Sequence, residues 1–128
     1  MPGILFLCIH NAGRSQMAAG FAREIGAGRV DIYSGGSEPA DTVNPVAVGA
    51  MAEVGIDISG FTPQRFTDEL LEKVDVVVTM GCGDTCPFIP GKQYVDWPLD
   101  DPKGRPIEEV RRIRDEIRSR VEDLVAQL

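Results

Sequence analysis

The stretch Ile4-Leu5-Phe6-Leu7-Cys8-Ile9-His10-Asn11-Ala12-Gly13-Arg14-Ser15 decides how the rest of the chain is read. Its first half is a continuous apolar run, the pattern of a strand buried on both faces of a parallel sheet. The run delivers a cysteine at its end. Small and turn-forming residues follow, then an arginine and a serine, and then the helical spacing of Met17, Ala18, Phe21, Ala22 and Ile25. A strand, a tight loop and a helix start in that order make an anion site. Successive amides turned inward form a nest, and the helix end adds its positive dipole. Arg14 can clamp two oxygens of a tetrahedral anion with paired donors.

The oxyanion-binding set is therefore expected to be Cys8, Ile9, His10, Asn11, Ala12, Gly13, Arg14 and Ser15. The field that holds an anion also favours a thiolate at Cys8, which becomes the nucleophile. Ser15 is placed to donate to that sulfur or to hold the loop. Asn11 suits a left-handed turn and can lock the loop through its amide. His10 reads as a loop histidine outside the chemistry proper. The C-x5-R spacing means little in isolation, because an ordinary free cysteine is commonly buried. The strand before it and the helix after it supply the context.

Working outward, a second helix is expected from the Asn44-Pro45 start, asparagine cap followed by proline, to Gly55. Residues 30–33 read as a short strand, with a loop from Ser34 onward. Residues 67–74 read as a short helix and 75–80 as a second buried strand around Val76-Val77-Val78. Residues 94–97 read as a brief strand. Ile107, Val110, Ile113, Ile117, Val121, Leu124, Val125 and Leu128 form one stripe on a long last helix. Strands alternating with helices predict an α/β fold, three-layered (α/β/α), with a four-stranded parallel sheet. Ligands in such folds bind beyond the C-terminal strand ends, where Cys8 lies.

At 128 residues, 43% of them apolar, the chain is expected to form one domain over residues 1–128 without metal or disulfide staples. No secretory signal or membrane span is read, and the three cysteines look reactive rather than bridged, so the expected compartment is the cytoplasm. Thirteen basic against twenty acidic residues leave a net charge of −7, which argues against nucleic acid as a partner. The C-terminal stripe is read as core packing, leaving a monomer.

A thiolate that attacks an oxyanion must expel a poor leaving group, so a general acid is needed across the anion. Asp101, before Pro102, is the candidate, with Asp100 the alternative one residue away. Cys82 and Cys86 flank Gly83-Asp84-Thr85 on a glycine-bearing loop and could resolve a Cys8 adduct as a disulfide. A zinc site is not expected, since tetrahedral zinc wants four ligands and there is no second cysteine pair.

The run Cys8-Ile9-His10-Asn11-Ala12-Gly13-Arg14-Ser15-Gln16-Met17-Ala18 resembles the low-molecular-weight tyrosine phosphatase family, and its Arg-Ser-Gln-Met-Ala part resembles the arsenate reductases within it. The resemblance continues through Ser34-Gly35-Gly36, Asn44-Pro45, Val78-Thr79-Met80 and Trp97-Pro98-Leu99-Asp100-Asp101-Pro102. It implies arsenate reduction with Cys8 as nucleophile, Arg14 as anion clamp, Asp101 as acid, and Cys82 and Cys86 as relay thiols. It implies no bound cofactor but an external thiol, either thioredoxin or mycothiol with mycoredoxin. Phosphate and sulfate are the implied competing anions. The relay cysteines stand closer together than in thioredoxin-coupled members, and the 80–87 segment looks similar to actinobacterial members that join arsenate to mycothiol. Gly13 stands where other reductases often carry a non-catalytic cysteine. Two rival readings remain: a tyrosine phosphatase, which would want aromatic residues where Lys103-Gly104-Arg105 stands, and a non-catalytic anion-binding or thiol-regulated module.

Overall fold

A computed structural model describes residues 1–80 and 91–128. Cys82 and Cys86, and the loop that carries them, lie outside the described residues. The elements run β1 (Gly3–Cys8), α1 (Arg14–Ile25), β2 (Asp31–Gly36), α2 (Pro45–Ala52), α3 (Asp68–Lys73), β3 (Val76–Thr79), β4 (Gln93–Asp96) and α4 (Ile107–Ala126). The four strands form one sheet in the order β2-β1-β3-β4, every pair parallel. The three-layer α/β/α architecture and its four-stranded parallel sheet are thus as the alternation of strands and helices predicts.

The central strand β1 is buried along its whole length, which is why its sequence does not alternate. The pleat divides its side chains between two cores. Ile4, Phe6 and Cys8 join Met17, Phe21, Ile113, Ile117 and Val121 on the face covered by α1 and α4. Leu5 and Leu7 join Val77, Leu71 and Val74 on the face covered by α3. Side chains of this size contribute about 1.5–3 kcal/mol each when fully buried, so both layers have a substantial apolar drive.

Element ends shifted where backbone pairing, rather than side-chain pattern, decides them. β1 stops at Cys8, and Ile9 beyond it turns its carbonyl to accept from the Glu38 amide at 2.8 Å. β2 continues through Ser34-Gly35-Gly36, which the sequence reading made a loop. Those three residues pair with Phe6, Leu7 and Cys8 in register. Gly36 also bridges to Arg65, and a Cβ on it would lie 2.5 Å from the Ile9 carbonyl oxygen. A glycine is what lets the strand end pass this close to the loop. β4 sits one residue earlier than expected, and α2 ends at Ala52.

Helix starts follow their caps. Asn44 accepts the Val46 amide at 2.9 Å ahead of Pro45, and Thr67 accepts the Leu70 amide at 3.1 Å. Helix α1 has no side-chain cap. Among the described residues no helix is long and apolar enough to cross a membrane.

Candidate functional site: the loop between β1 and α1

Strand β1 ends at Cys8 and α1 begins at Arg14, so the intervening loop crosses the C-terminal edge of the sheet. Its carbonyls point outward. The amides of Glu38, Ala40 and Asn44 donate to the carbonyls of Ile9, His10 and Ala12 at 2.8, 3.0 and 2.8 Å. Among the described residues none of the amides from Ile9 to Gly13 has a protein acceptor. With carbonyls outward and amides free, the loop has the polarity of an anion nest.

Asn11 holds this shape. It is fully buried with φ +50°, a left-handed conformation that asparagine tolerates. Its Oδ1 accepts the Gln64 amide at 3.0 Å and Gln16 Nε2 at 3.2 Å. That fixes which end of the amide is oxygen. Its Nδ2 therefore donates to Ser15 Oγ, at 2.7 Å. Ser15 Oγ lies 2.9 Å from Cys8 Sγ. Because the serine oxygen already accepts from Asn11, its own proton is free to point at the sulfur. The chain Asn11→Ser15→Cys8 brings a hydroxyl hydrogen to a buried sulfur. Cys8 itself is 3% exposed.

Arg14 is almost wholly buried. Its Nη1 donates to the Leu99 carbonyl at 3.2 Å, and its Nη2 lies 3.7 Å from Asp101 Oδ2. The two aspartates part company here. Asp100 Oδ2 accepts from Arg112 of α4 at 3.1 Å, whereas Asp101 lines the cavity above Cys8. Asp101 is held from behind: its Oδ1 accepts the Lys103 amide at 3.0 Å and its carbonyl accepts Arg105 Nε at 2.8 Å. Arg105 in turn pairs with Glu109 at 2.8 Å.

The cavity above Cys8 has a volume of about 310 Å³ and includes His10, Gly13, Thr42, Asn44 and Lys103 in its wall. Among its described lining residues there is no Phe, Tyr or Trp. His10 is half-buried at its edge, its Nδ1–H donating to the Glu38 carbonyl at 3.0 Å. Among the described residues no group of three or more His, Cys, Asp or Glu could hold a metal ion.

The structure thus brings Cys8, Arg14 and Asp101 to one cavity, sets Ser15 against the Cys8 sulfur, and leaves Asp100 out of the cavity wall. The sequence reading missed Gln16 and Gln64, which brace Asn11, and the amides of Glu38, Ala40 and Asn44 that hold the loop carbonyls. Gln64 lies 53 positions from Asn11 and carries no local signal. Asn44 was legible only as a helix cap, yet its amide also ties down Ala12.

The family model described as low molecular weight phosphotyrosine protein phosphatase matches residues 3–128. A glutaredoxin arsenate reductase from Synechocystis sp. is 40% identical, over 100% of this chain and 99% of its own. The solved structure of a thioredoxin-dependent arsenate reductase from Corynebacterium glutamicum is similar at 38% identity and TM-score 0.86. That alignment takes in 99% of this chain but only 61% of the other. A second solved structure, an arsenate reductase in the phosphate binding state, gives TM-score 0.89 at 40% identity, over 99% and 98% of the two chains. Sequence and structure agree over nearly the whole length, and the chain belongs to the low molecular weight phosphotyrosine protein phosphatase family.

Proposed function

We propose that this protein is a thiol-dependent arsenate reductase in which Cys8 is the nucleophile. The observation that carries the reading is the buried Cys8 sulfur facing the Ser15 hydroxyl at 2.9 Å, at the foot of a loop whose amides have no acceptor among the described residues. Arsenate enters the nest and is gripped by Arg14. The Cys8 thiolate attacks arsenic. A sulfur–arsenic bond forms, an arsenic–oxygen bond breaks, and the oxygen leaves as water with a proton from Asp101.

A second thiol then supplies the electrons. When it attacks the Cys8 sulfur, a disulfide forms and arsenic departs with the electron pair of the sulfur–arsenic bond, as As(III). When an external small thiol attacks arsenic instead, Cys8 is freed, and a further thiol completes the reduction on the conjugate. Cys82 and Cys86 are the internal candidates. Relatives described as thioredoxin-dependent and as a glutaredoxin arsenate reductase support a dithiol protein as the final donor. The closer spacing of Cys82 and Cys86 keeps mycothiol with mycoredoxin in play as the other donor system. The cavity wall disfavours phosphotyrosine as substrate, because its described residues supply no aromatic face for the ring.

Assays of the protein and its variants test this directly. Cys8→Ser is expected to cut arsenate-dependent arsenite production by about 10³-fold or more with any thiol donor. Turnover within tenfold of wild type would refute Cys8 as the nucleophile. Cys82→Ser and Cys86→Ser are expected to abolish activity with thioredoxin. Wild-type rates from both variants with thioredoxin would exclude an internal relay.

A further inference from the structure

Asp101 and the residues after it form two interlocked turns. The Lys103 amide donates to Asp101 Oδ1 at 3.0 Å, and the Arg105 amide donates to the Pro102 carbonyl at 3.1 Å. Gly104, the third residue of the second turn, has φ +74°, a conformation that favours glycine. The amide bond to Oδ1 ties the carboxyl to its own backbone and leaves Oδ2 to carry the acid's proton. Oδ2 is the oxygen that stands 3.7 Å from Arg14 Nη2. The direction of Oδ2 therefore follows the orientation of the turn.

We infer that Arg105 is a positioning residue for the general acid: its side chain fixes this turn to helix α4 and so sets the direction of Asp101 Oδ2. This rests on the reading of Asp101 as the acid. Arg105 Nε donates to the Asp101 carbonyl at 2.8 Å, and its Nη1 donates to Glu109 Oε2 at 2.8 Å. One planar guanidinium thus spans from the acid's own backbone to the first turn of α4. Glu109 is a firm anchor, since its amide donates to the Pro106 carbonyl at 3.0 Å and its neighbour Val110 is fully buried. Asp100 is tied to the same helix by Arg112 at 3.1 Å. The Arg105 and Glu109 side chains are 39% and 45% exposed, and ion pairs that exposed add little to the stability of a fold. Their effect is on geometry. Without the Arg105 side chain the Asp101 carbonyl loses this donor and the turn loses its strut to α4. Among the described residues Arg105 makes no hydrogen bond to the loop between Cys8 and Arg14, so the nest is left as it is.

Arg105→Ala is expected to lower kcat and kcat/KM for arsenate together, by about tenfold, a small displacement of a reacting group being costly to catalysis, while KM stays within about twofold of wild type. The sharper test uses Asp101→Asn, which removes the acid. In that background Arg105→Ala should cost less than about twofold further, because a residue that acts through Asp101 has nothing left to position. Wild-type kcat from Arg105→Ala, or the same loss in both backgrounds, would overturn the inference. Amide hydrogen exchange reads the turn without turnover. The Lys103 amide should exchange faster in Arg105→Ala than in wild type, and equal rates would also overturn the inference. If Asp101→Asn keeps wild-type kcat, the reading of Asp101 as the acid falls by itself, and the Lys103 exchange rate still decides whether Arg105 holds the turn.

Discussion

Ser15 and Asn11 act on Cys8 as a series, not as independent contacts. Asn11 occupies the serine's acceptor site, and this leaves the serine proton to the sulfur. Ser15→Ala removes the donor nearest the thiolate and should lower kcat by about tenfold or more, a neutral hydrogen bond to a charged group being worth about 1.5–3 kcal/mol. Asn11→Ala removes the donor to Ser15 and destabilises the left-handed turn, so it should lower both kcat and thermal stability. The check is steady-state kinetics with a melting curve for each variant, and equal melting temperatures for Asn11→Ala and wild type would contradict the second role. The sulfur, the nest and Arg14 were legible in the sequence because they lie within eight consecutive positions. Asp101 was legible as the candidate acid, but its separation in space from Asp100 was not. It depends on Arg112, a helix residue twelve positions beyond Asp100 whose guanidinium takes Asp100 outward, and no local pattern encodes that pairing.

Helices α2 and α4 are joined by a polar clasp. Glu53, just past α2, accepts Arg111 at 2.7 Å and Arg114 at 2.7 Å, and Arg114 also donates to the Ala50 carbonyl at 2.9 Å. The Arg111 hydrogen bonds foremost, and then that of Arg114, hold the Glu53 carboxyl down to about 2. A carboxyl lowered in the folded state adds stability that is present above its unfolded value and is lost as pH falls through the folded one. The melting-temperature gap between wild type and Glu53→Gln should therefore be open at pH 6, close below about pH 4.5 and vanish near pH 2. A gap that does not change with pH would contradict the clasp. Arg114 is the buried member, and Arg114→Met should cost about 1–3 kcal/mol by leaving the Ala50 carbonyl unpaired. The stripe on α4 was legible from its spacing except at Leu128, which lies beyond the helix and is exposed, and Ile117, fully buried, should cost about 2–5 kcal/mol on truncation to Ala with little effect on KM for arsenate. The extent of β2 was not legible. Ser34-Gly35-Gly36 has poor strand propensity, and only its register with β1 makes it a strand.

Over the whole molecule, the sheet order β2-β1-β3-β4 places β1 at the centre, so the nest lies where neighbouring strands and their connections converge. A chain with net charge −7 can hold a multiply charged anion there because the attraction is local, from amides, a helix end and a buried guanidinium. The proposed acid arrives from far along the chain: Leu99 and Asp101 meet Arg14 across more than eighty positions. That long-range closure is the part of the site that a fold must deliver and a motif cannot. The most direct test of an oxyanion held on the Cys8 sulfur is the rate at which iodoacetamide alkylates Cys8, followed by peptide mass spectrometry with and without arsenate. The account predicts saturable protection of Cys8 by arsenate and by phosphate, and none by chloride at equal ionic strength. Alkylation of Cys8 at the same rate in the presence and absence of saturating arsenate would contradict it.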